Sequence, residues 1–153
     1  VLNDFVQQTR RIAAECSFDP SRIVFEITER ETIKNMALLE RFINTLRSEG
    51  FRLAIDDFGS GFSSFHYVKR FPIDFLKIEG DFILGMKHND KDRALVRSIV
   101  ALSRDLGIRT VAEYVEDDEV LGQVLEQSID LAQGYHIRRP TPSIAEALDV
   151  HIR

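Results

Sequence analysis

The sequence predicts an α/β fold built on a parallel sheet, and three observations support this prediction. Short apolar runs alternate with longer segments in which apolar residues recur at helical spacing. Glycine or proline separates several of these segments, and the alternation continues through most of the 153 residues. Because strands that alternate with helices are joined by right-handed crossovers, we expect a parallel sheet. No linker or low-complexity segment interrupts the pattern, so we expect one domain over residues 1–153.

The predicted elements follow one another in a regular order. Strands are expected where short runs are mainly apolar, at residues 23–27, 51–56, 75–78, 108–112 and 129–132. Helices are expected where apolar residues recur every three or four positions, at residues 4–16, 31–49, 63–69, 90–106 and 117–127, with a short helix from about residue 143. Asp19-Pro20-Ser21 ends the first helix, and Gly50 and Gly107 follow two later helices as C-caps.

Composition and charge exclude several classes of protein. The net charge is −5 with acids and bases interspersed, so the chain lacks the basic surface of a polymeric nucleic-acid binder. The single cysteine, Cys16, excludes an internal disulfide framework and fits a reducing compartment. No apolar run approaches the roughly 20 residues of a membrane helix, and no signal pattern begins the chain. We therefore expect a cytoplasmic segment without membrane contact.

Polar residues cluster near the ends of the predicted strands. They are Glu26, Asp56, Asp57, Lys77, Glu113, Glu116 and Gln133. The carboxyl ends of parallel strands form the rim on which α/β folds build their active sites. Any one of these acids is more simply explained as a helix cap or a solvated loop residue, but the whole set at one rim favours a functional site.

This set of side chains suits a pair of hard divalent cations. Mg²⁺ and Mn²⁺ prefer carboxylate oxygens, and two such ions can activate water for in-line displacement at a phosphodiester. The adjacent Asp56 and Asp57 repel each other, so a cation is expected beside them. The four histidines show no zinc-ligand spacing.

The same residues lie in a series of ordered motifs. The motifs are FEITE at 25–29, IDDFGSGFSS at 55–64, LKI at 76–78, VAEYVE at 111–116 and QGY at 133–135, followed by Arg139-Pro140. The series resembles the EAL-domain phosphodiesterases of bacterial cyclic di-GMP signalling over nearly the whole chain. The resemblance implies a modified TIM-type β/α barrel that opens cyclic di-GMP to linear pGpG with Mg²⁺ or Mn²⁺ in a two-metal site.

The resemblance also implies a role for each matched residue. The implied metal ligands are Glu26, Asp56, Asp57 and Glu113, with Asp56 as the bridge between metals. Lys77 matches a lysine that contacts the catalytic water, Gln133 a polar site residue, and Glu116 an acid that tethers the glycine-rich loop 58–64. The implied partners are cyclic di-GMP, a second copy in a homodimer, and flanking sensory or GGDEF-type domains in a full-length protein, which itself could be membrane-anchored.

The chain departs from the family pattern at several positions. The Glu-Ala-Leu strand and an asparagine ligand on the next strand are absent, and Glu146-Ala147-Leu148 falls instead on a predicted C-terminal helix. Glu79 replaces a usual aspartate, and Tyr114 replaces a common glycine. A closed barrel has eight strands in about 250 residues. We therefore expect the C-terminal part of such a domain, a partial barrel of about five strands that is inactive in isolation.

Two other functions compete with hydrolysis. A degenerate EAL domain would sense cyclic di-GMP or bind a protein partner without hydrolysing anything, but the retained acids and Lys77 favour catalysis. A phospho-receiver domain also places paired acids and a lysine on a parallel sheet, but its acids would follow the first strand.

Overall fold

The computed structural model describes residues 2–28, 36–59 and 68–142. Its five strands belong to one sheet in chain order, β1-β2-β3-β4-β5, which confirms the predicted α/β class. The chain divides into two compact units, Val1–Phe75 and Leu76–Arg153. No helix within the described ranges is both long enough and apolar enough to cross a bilayer.

In the described part of the first unit, helices pack against parallel strands. Its elements are α1 (Leu2–Glu15), β1 (Val24–Thr28), α2 (Met36–Ser48) and β2 (Arg52–Phe58), with a 3₁₀ turn at Pro20–Arg22. The strands pair from Val24 with Arg52 to Thr28 with Asp56. Phe25 makes edge-on contacts with Phe5, Phe42 and Phe51, at ring centroid distances of 5.9, 6.5 and 5.1 Å. One aromatic side chain of β1 therefore contacts α1, α2 and the residue that precedes β2.

The second unit repeats the strand and helix alternation. Its elements are α3 (Gly80–Gly85), α4 (Asp90–Asp105), β4 (Arg109–Ala112), α5 (Asp118–Glu126) and β5 (Leu131–Ala132), and β3 (Phe75–Ile78) spans the division between the units. Asn89 caps α4 by accepting a hydrogen bond from the backbone N–H of Lys91, and Asp117 caps α5 by accepting one from the backbone N–H of Val120.

Asp117 also accepts a hydrogen bond of 2.7 Å from the ammonium of Lys87, and this bond raises the pKa of Lys87.

The observed elements match most of the predicted ones, with shifts at their ends. Helix α3 was not predicted, because it has only six residues and begins and ends on glycine, which leaves no helical periodicity to detect. Strand β2 extends to Phe58, two residues beyond the predicted end. The predictions for residues 31–35, 63–67 and 143 onward, including Glu146-Ala147-Leu148, lie outside the described residues.

An aspartate just before a strand ties that strand to the preceding one in each unit. Asp74 accepts the Leu53 backbone N–H at 2.8 Å and returns its own N–H to the Leu53 carbonyl at 3.0 Å. Asp130 accepts both the backbone N–H and the hydroxyl of Thr110, at 2.7 and 2.8 Å. These bonds fix the positions of the strand beginnings relative to each other. They therefore also set the register of the strands, which determines where the strand ends lie.

We expect Asp130→Ala to destabilise the protein by about 1–3 kcal/mol at neutral pH, because the fully buried Thr110 would lose its acceptor. Burial raises the pKa of Asp130, but the two Thr110 bonds and nearby arginines outweigh it, so the pKa lies below its ordinary value. A lowered folded-state pKa gives stability that is present above the unfolded pKa and is lost as pH falls through the folded one.

Urea unfolding of wild type and variant from pH 7 to pH 2.5 measures this effect. The difference in free energy of unfolding between wild type and variant should become smaller as the pH falls. Asp105→Ala, at an exposed position at the end of α4, serves as the matched control and should change stability by less than about 0.5 kcal/mol. A gap that stays constant with pH would contradict the role of the charged carboxylate.

Candidate active site

Two adjacent acids lie at the carboxyl end of β2. Side chains on a regular strand alternate between faces, so neighbours normally diverge. Asp57 instead has a φ of +54°, in the left-handed region, and this turn in the backbone breaks the alternation. The two residues offer carboxylate oxygens within 4.8 Å of each other. Two negative charges held this close favour a bound cation.

Glu26 lies on the neighbouring strand of the same unit. It pairs in register with Ala54, and Thr28 pairs with Asp56. Alternation along the strand therefore puts Glu26 on the same sheet face as Asp56, one pleat earlier. The sequence predicted Glu26 near the strand end, but β1 continues to Thr28, and the Glu26 side chain is exposed at the middle of the strand. Its role as a metal ligand stays a prediction.

A buried ion pair joins β3 to the end of β4. Lys77 Nζ lies 3.0 Å from Glu113 Oε1, and the two residues are 5% and 9% exposed. Lys77 is the third residue of β3, and Glu113 directly follows β4. Because buried charges are costly to desolvate, the closeness of the two groups helps to keep an ammonium and a carboxylate at this rim.

Gln133 and Glu116 share a cleft with Glu113. The Gln133 N–H donates to the Ala112 carbonyl at 2.8 Å, and the Val115 N–H donates to the Gln133 carbonyl at 3.1 Å. These bonds hold the segment after β5 against the segment after β4. The cleft has a volume of about 300 Å³, and its lining residues are Glu113, Tyr114, Glu116, Gln133, Gly134 and Tyr135. Three residues singled out from the sequence thus line one open cavity.

Gly134 permits the close approach that forms this cleft. A Cβ at this position would lie 2.6 Å from the backbone carbonyl carbon of Val115 and closer still to its N and O atoms. No side chain fits there without moving the backbone, so the QGY motif requires its glycine for a packing reason.

Two exposed tyrosines flank the cleft. Tyr114 and Tyr135 are each 57% exposed, and the Arg139 guanidinium lies 4.6 Å from the Tyr135 ring centre. From the sequence, Tyr114 was noted only as a replacement for a common glycine, and Tyr135 was assigned no role. The available signal was their position inside two of the ordered motifs.

The carboxylates described above have the chemistry that a hard cation requires. Asp56, Asp57 and Glu113 each offer a carboxylate oxygen that could bind a metal. Such oxygens suit Mg²⁺, Mn²⁺ and Ca²⁺. The donor set therefore fits the divalent ions expected from the sequence.

Comparison with known families gives a match along most of the chain. The EAL domain family matches residues 2–140. The chain belongs to the EAL-domain family. Among curated relatives of this EAL domain, the cyclic di-GMP phosphodiesterase PdeB of Shewanella oneidensis is 42% identical over 136 residues, which are 89% of this chain and 15% of that protein. The cyclic di-GMP phosphodiesterase PdeF of Escherichia coli is 36% identical over 140 residues, which are 92% and 19%.

Solved EAL structures share the fold. The PaMucR phosphodiesterase in complex with c-di-GMP has a TM-score of 0.82 at 35% identity, over 94% of this chain and 57% of that one. Klebsiella pneumoniae BlrP1 with manganese and c-di-GMP has a TM-score of 0.84 at 32% identity, over 90% and 35%. A calcium complex of BlrP1 also matches. The fold is therefore the TIM-barrel-like EAL fold, and the chain spans 15–19% of the two curated relatives above.

Proposed function

We propose that this EAL domain belongs to an enzyme that hydrolyses one phosphodiester of cyclic di-GMP to give linear pGpG. The supporting observation is the buried Lys77–Glu113 pair, which lies beside an open cleft and at positions that the family motifs occupy. Relatives named cyclic di-GMP phosphodiesterases and solved relatives that hold c-di-GMP give the substrate class.

The proposed metal ligands are Glu26, Asp56, Asp57 and Glu113, with Asp56 as the bridge in a two-metal site for Mg²⁺ or Mn²⁺. Their carboxylates match the donors such ions prefer, and the BlrP1 complexes hold manganese or calcium. Bound divalent metal would supply an activated water and neutralise charge on the phosphate.

The other proposed roles belong to this chain's own side chains. The ammonium of Lys77, held by Glu113, donates a hydrogen bond to the attacking water and offsets phosphate charge. Gln133, on the wall of the cleft, offers its amide to the substrate. Glu116, on the same wall, tethers the loop 58–64, of which residues 60–64 lie outside the described residues.

The proposal extends to the surroundings of the domain. The exposed free Cys16 fits a reducing compartment such as the cytoplasm. A homodimer through the domain and flanking sensory or GGDEF-type domains are proposed from the family resemblance.

The test uses a full-length protein that contains residues 1–153, purified free of metal and supplied with cyclic di-GMP. We expect pGpG to appear with Mn²⁺ or Mg²⁺ and to be suppressed by a chelator, when products are separated by liquid chromatography. Binding of cyclic di-GMP by calorimetry without product under any metal would identify the non-hydrolytic sensor instead. Absence of both would reject the proposal.

A further inference from the structure

Tyr114 adopts a backbone conformation that side chains rarely take. Its φ is +54°, in the left-handed region, and it directly follows Glu113. For a tyrosine this conformation is strained, so it persists only when the surroundings hold it. A contact that fixes Tyr114 therefore also bears on the adjacent Glu113.

The ring of Tyr114 rests on Gly80, the first residue of α3. A Cβ built at the buried Gly80 would lie 2.7 Å from Tyr114 Cε2 and 2.8 Å from Cγ, and closer still to Cδ2. These separations are far below van der Waals contact, so only glycine allows the ring its place. The ring covers Gly80 on one side while the tyrosine as a whole stays 57% exposed.

This contact joins the same two chain segments as the ion pair. Lys77 and Gly80 lie three residues apart at the end of β3 and the start of α3, and Glu113 and Tyr114 are consecutive after β4. The ion pair links the segments through charge, and the ring links them through packing. Because the segments 77–80 and 113–114 are joined at two points, they cannot rotate relative to each other as they could with one contact.

We propose that Tyr114 is a positioning residue: its ring, packed on Gly80, holds the Glu113 carboxylate against Lys77 at the rim of the cleft. The inference rests on the proposed function only for the importance of Glu113, and the contact itself stands apart from it. Tyr114 and Gly80 thus share one role, which is to hold Glu113 in place.

The test measures how fast an amine-reactive acetylating reagent labels Lys77 in a purified full-length protein that contains residues 1–153, read by mass spectrometry. Lys87, which pairs with Asp117 and Glu119 in the same unit, is the internal reference. Gly80→Ala should displace the ring and raise Lys77 labelling about fivefold or more relative to Lys87, since local opening exposes the amine. Tyr114→Gly should raise it as well, whereas Tyr114→Phe, which keeps the ring, should leave it unchanged.

The combination of variants separates this role from general destabilisation. In the Tyr114→Gly background, Gly80→Ala should have no further effect on Lys77, because the ring it displaces is gone. Gly122→Ala, in α5 with open space around the added methyl group, is the matched control and should not change Lys77 labelling. Wild-type labelling in Gly80→Ala or in Tyr114→Gly, equal increases at Lys77 and Lys87, or additive effects in the double variant would overturn the proposal. The readout requires neither metal nor dinucleotide, so it stays informative if hydrolysis is not found.

Discussion

Asp57→Asn is expected to lower metal-dependent hydrolysis of cyclic di-GMP at least about 100-fold, since loss of even an outer-shell partner of a metal typically costs 10–100-fold. The substitution removes one of two charges whose carboxylate oxygens lie within 4.8 Å of each other, with almost no change in volume. The fold should be retained, because asparagine is among the residues that tolerate the left-handed conformation found at Asp57.

Initial rates of pGpG formation, measured over a series of Mn²⁺ concentrations in a full-length protein containing this sequence, provide the measurement. Thermal unfolding of the same samples shows whether the fold survives. Asp105→Asn, at an exposed position at the end of α4, makes the same chemical change away from the strand ends and should leave turnover unchanged. If Asp57→Asn turned over at the wild-type rate, Asp57 would not be a metal ligand.

The sequence was informative about where each strand ends, because a buried strand stops being apolar there. The apolar run before Asp56 and the run before Glu113 correctly placed both acids at the carboxyl ends of β2 and β4. Ala112 and Ala132 are register partners, so Glu113 and Gln133 follow neighbouring strands at equivalent positions. Parallel pairing then brings residues that are twenty positions apart to one cleft.

Features that depend on contacts distant in sequence were not predictable from local pattern. Strand β1 ends at Thr28, one residue beyond the predicted end, where Thr28 pairs with Asp56, and this pairing is a tertiary constraint that the apolar run does not show. The left-handed turn at Asp57 leaves no trace in composition, because aspartate is also common in regular turns.

Two contacts also join residues at least twenty positions apart, which no local pattern shows. They are the hydrogen bond from Thr110 to Asp130 and the packing of the Tyr114 ring on Gly80.

The largest expected change in stability is at Glu113. Replacing Glu113 with leucine should destabilise the protein by about 3–5 kcal/mol, because Lys77 is 5% exposed and would lose the carboxylate that lies 3.0 Å from its ammonium. Removing this carboxylate takes away one of the charges that offset the cost of keeping the Lys77 ammonium away from water. This loss of stability comes from breaking a buried ion pair. It exceeds the contribution of an exposed ion pair to stability, which is about 0–1 kcal/mol.

A double-mutant cycle separates the destabilisation caused by removing one partner from the net contribution of the ion pair to stability. Lys77→Met together with Glu113→Leu replaces both charges by apolar groups of similar length, and such replacements are often neutral or stabilising. We therefore expect the double variant to recover most of the stability that Glu113→Leu loses, as measured by urea unfolding at neutral pH. Arg11→Met with Glu15→Leu, an exposed pair on α1, is the matched control and should show almost no coupling. If the two single losses at Lys77 and Glu113 simply added, the ion pair would not be the main interaction of either side chain, and Glu113 would be held at the rim by its other contacts.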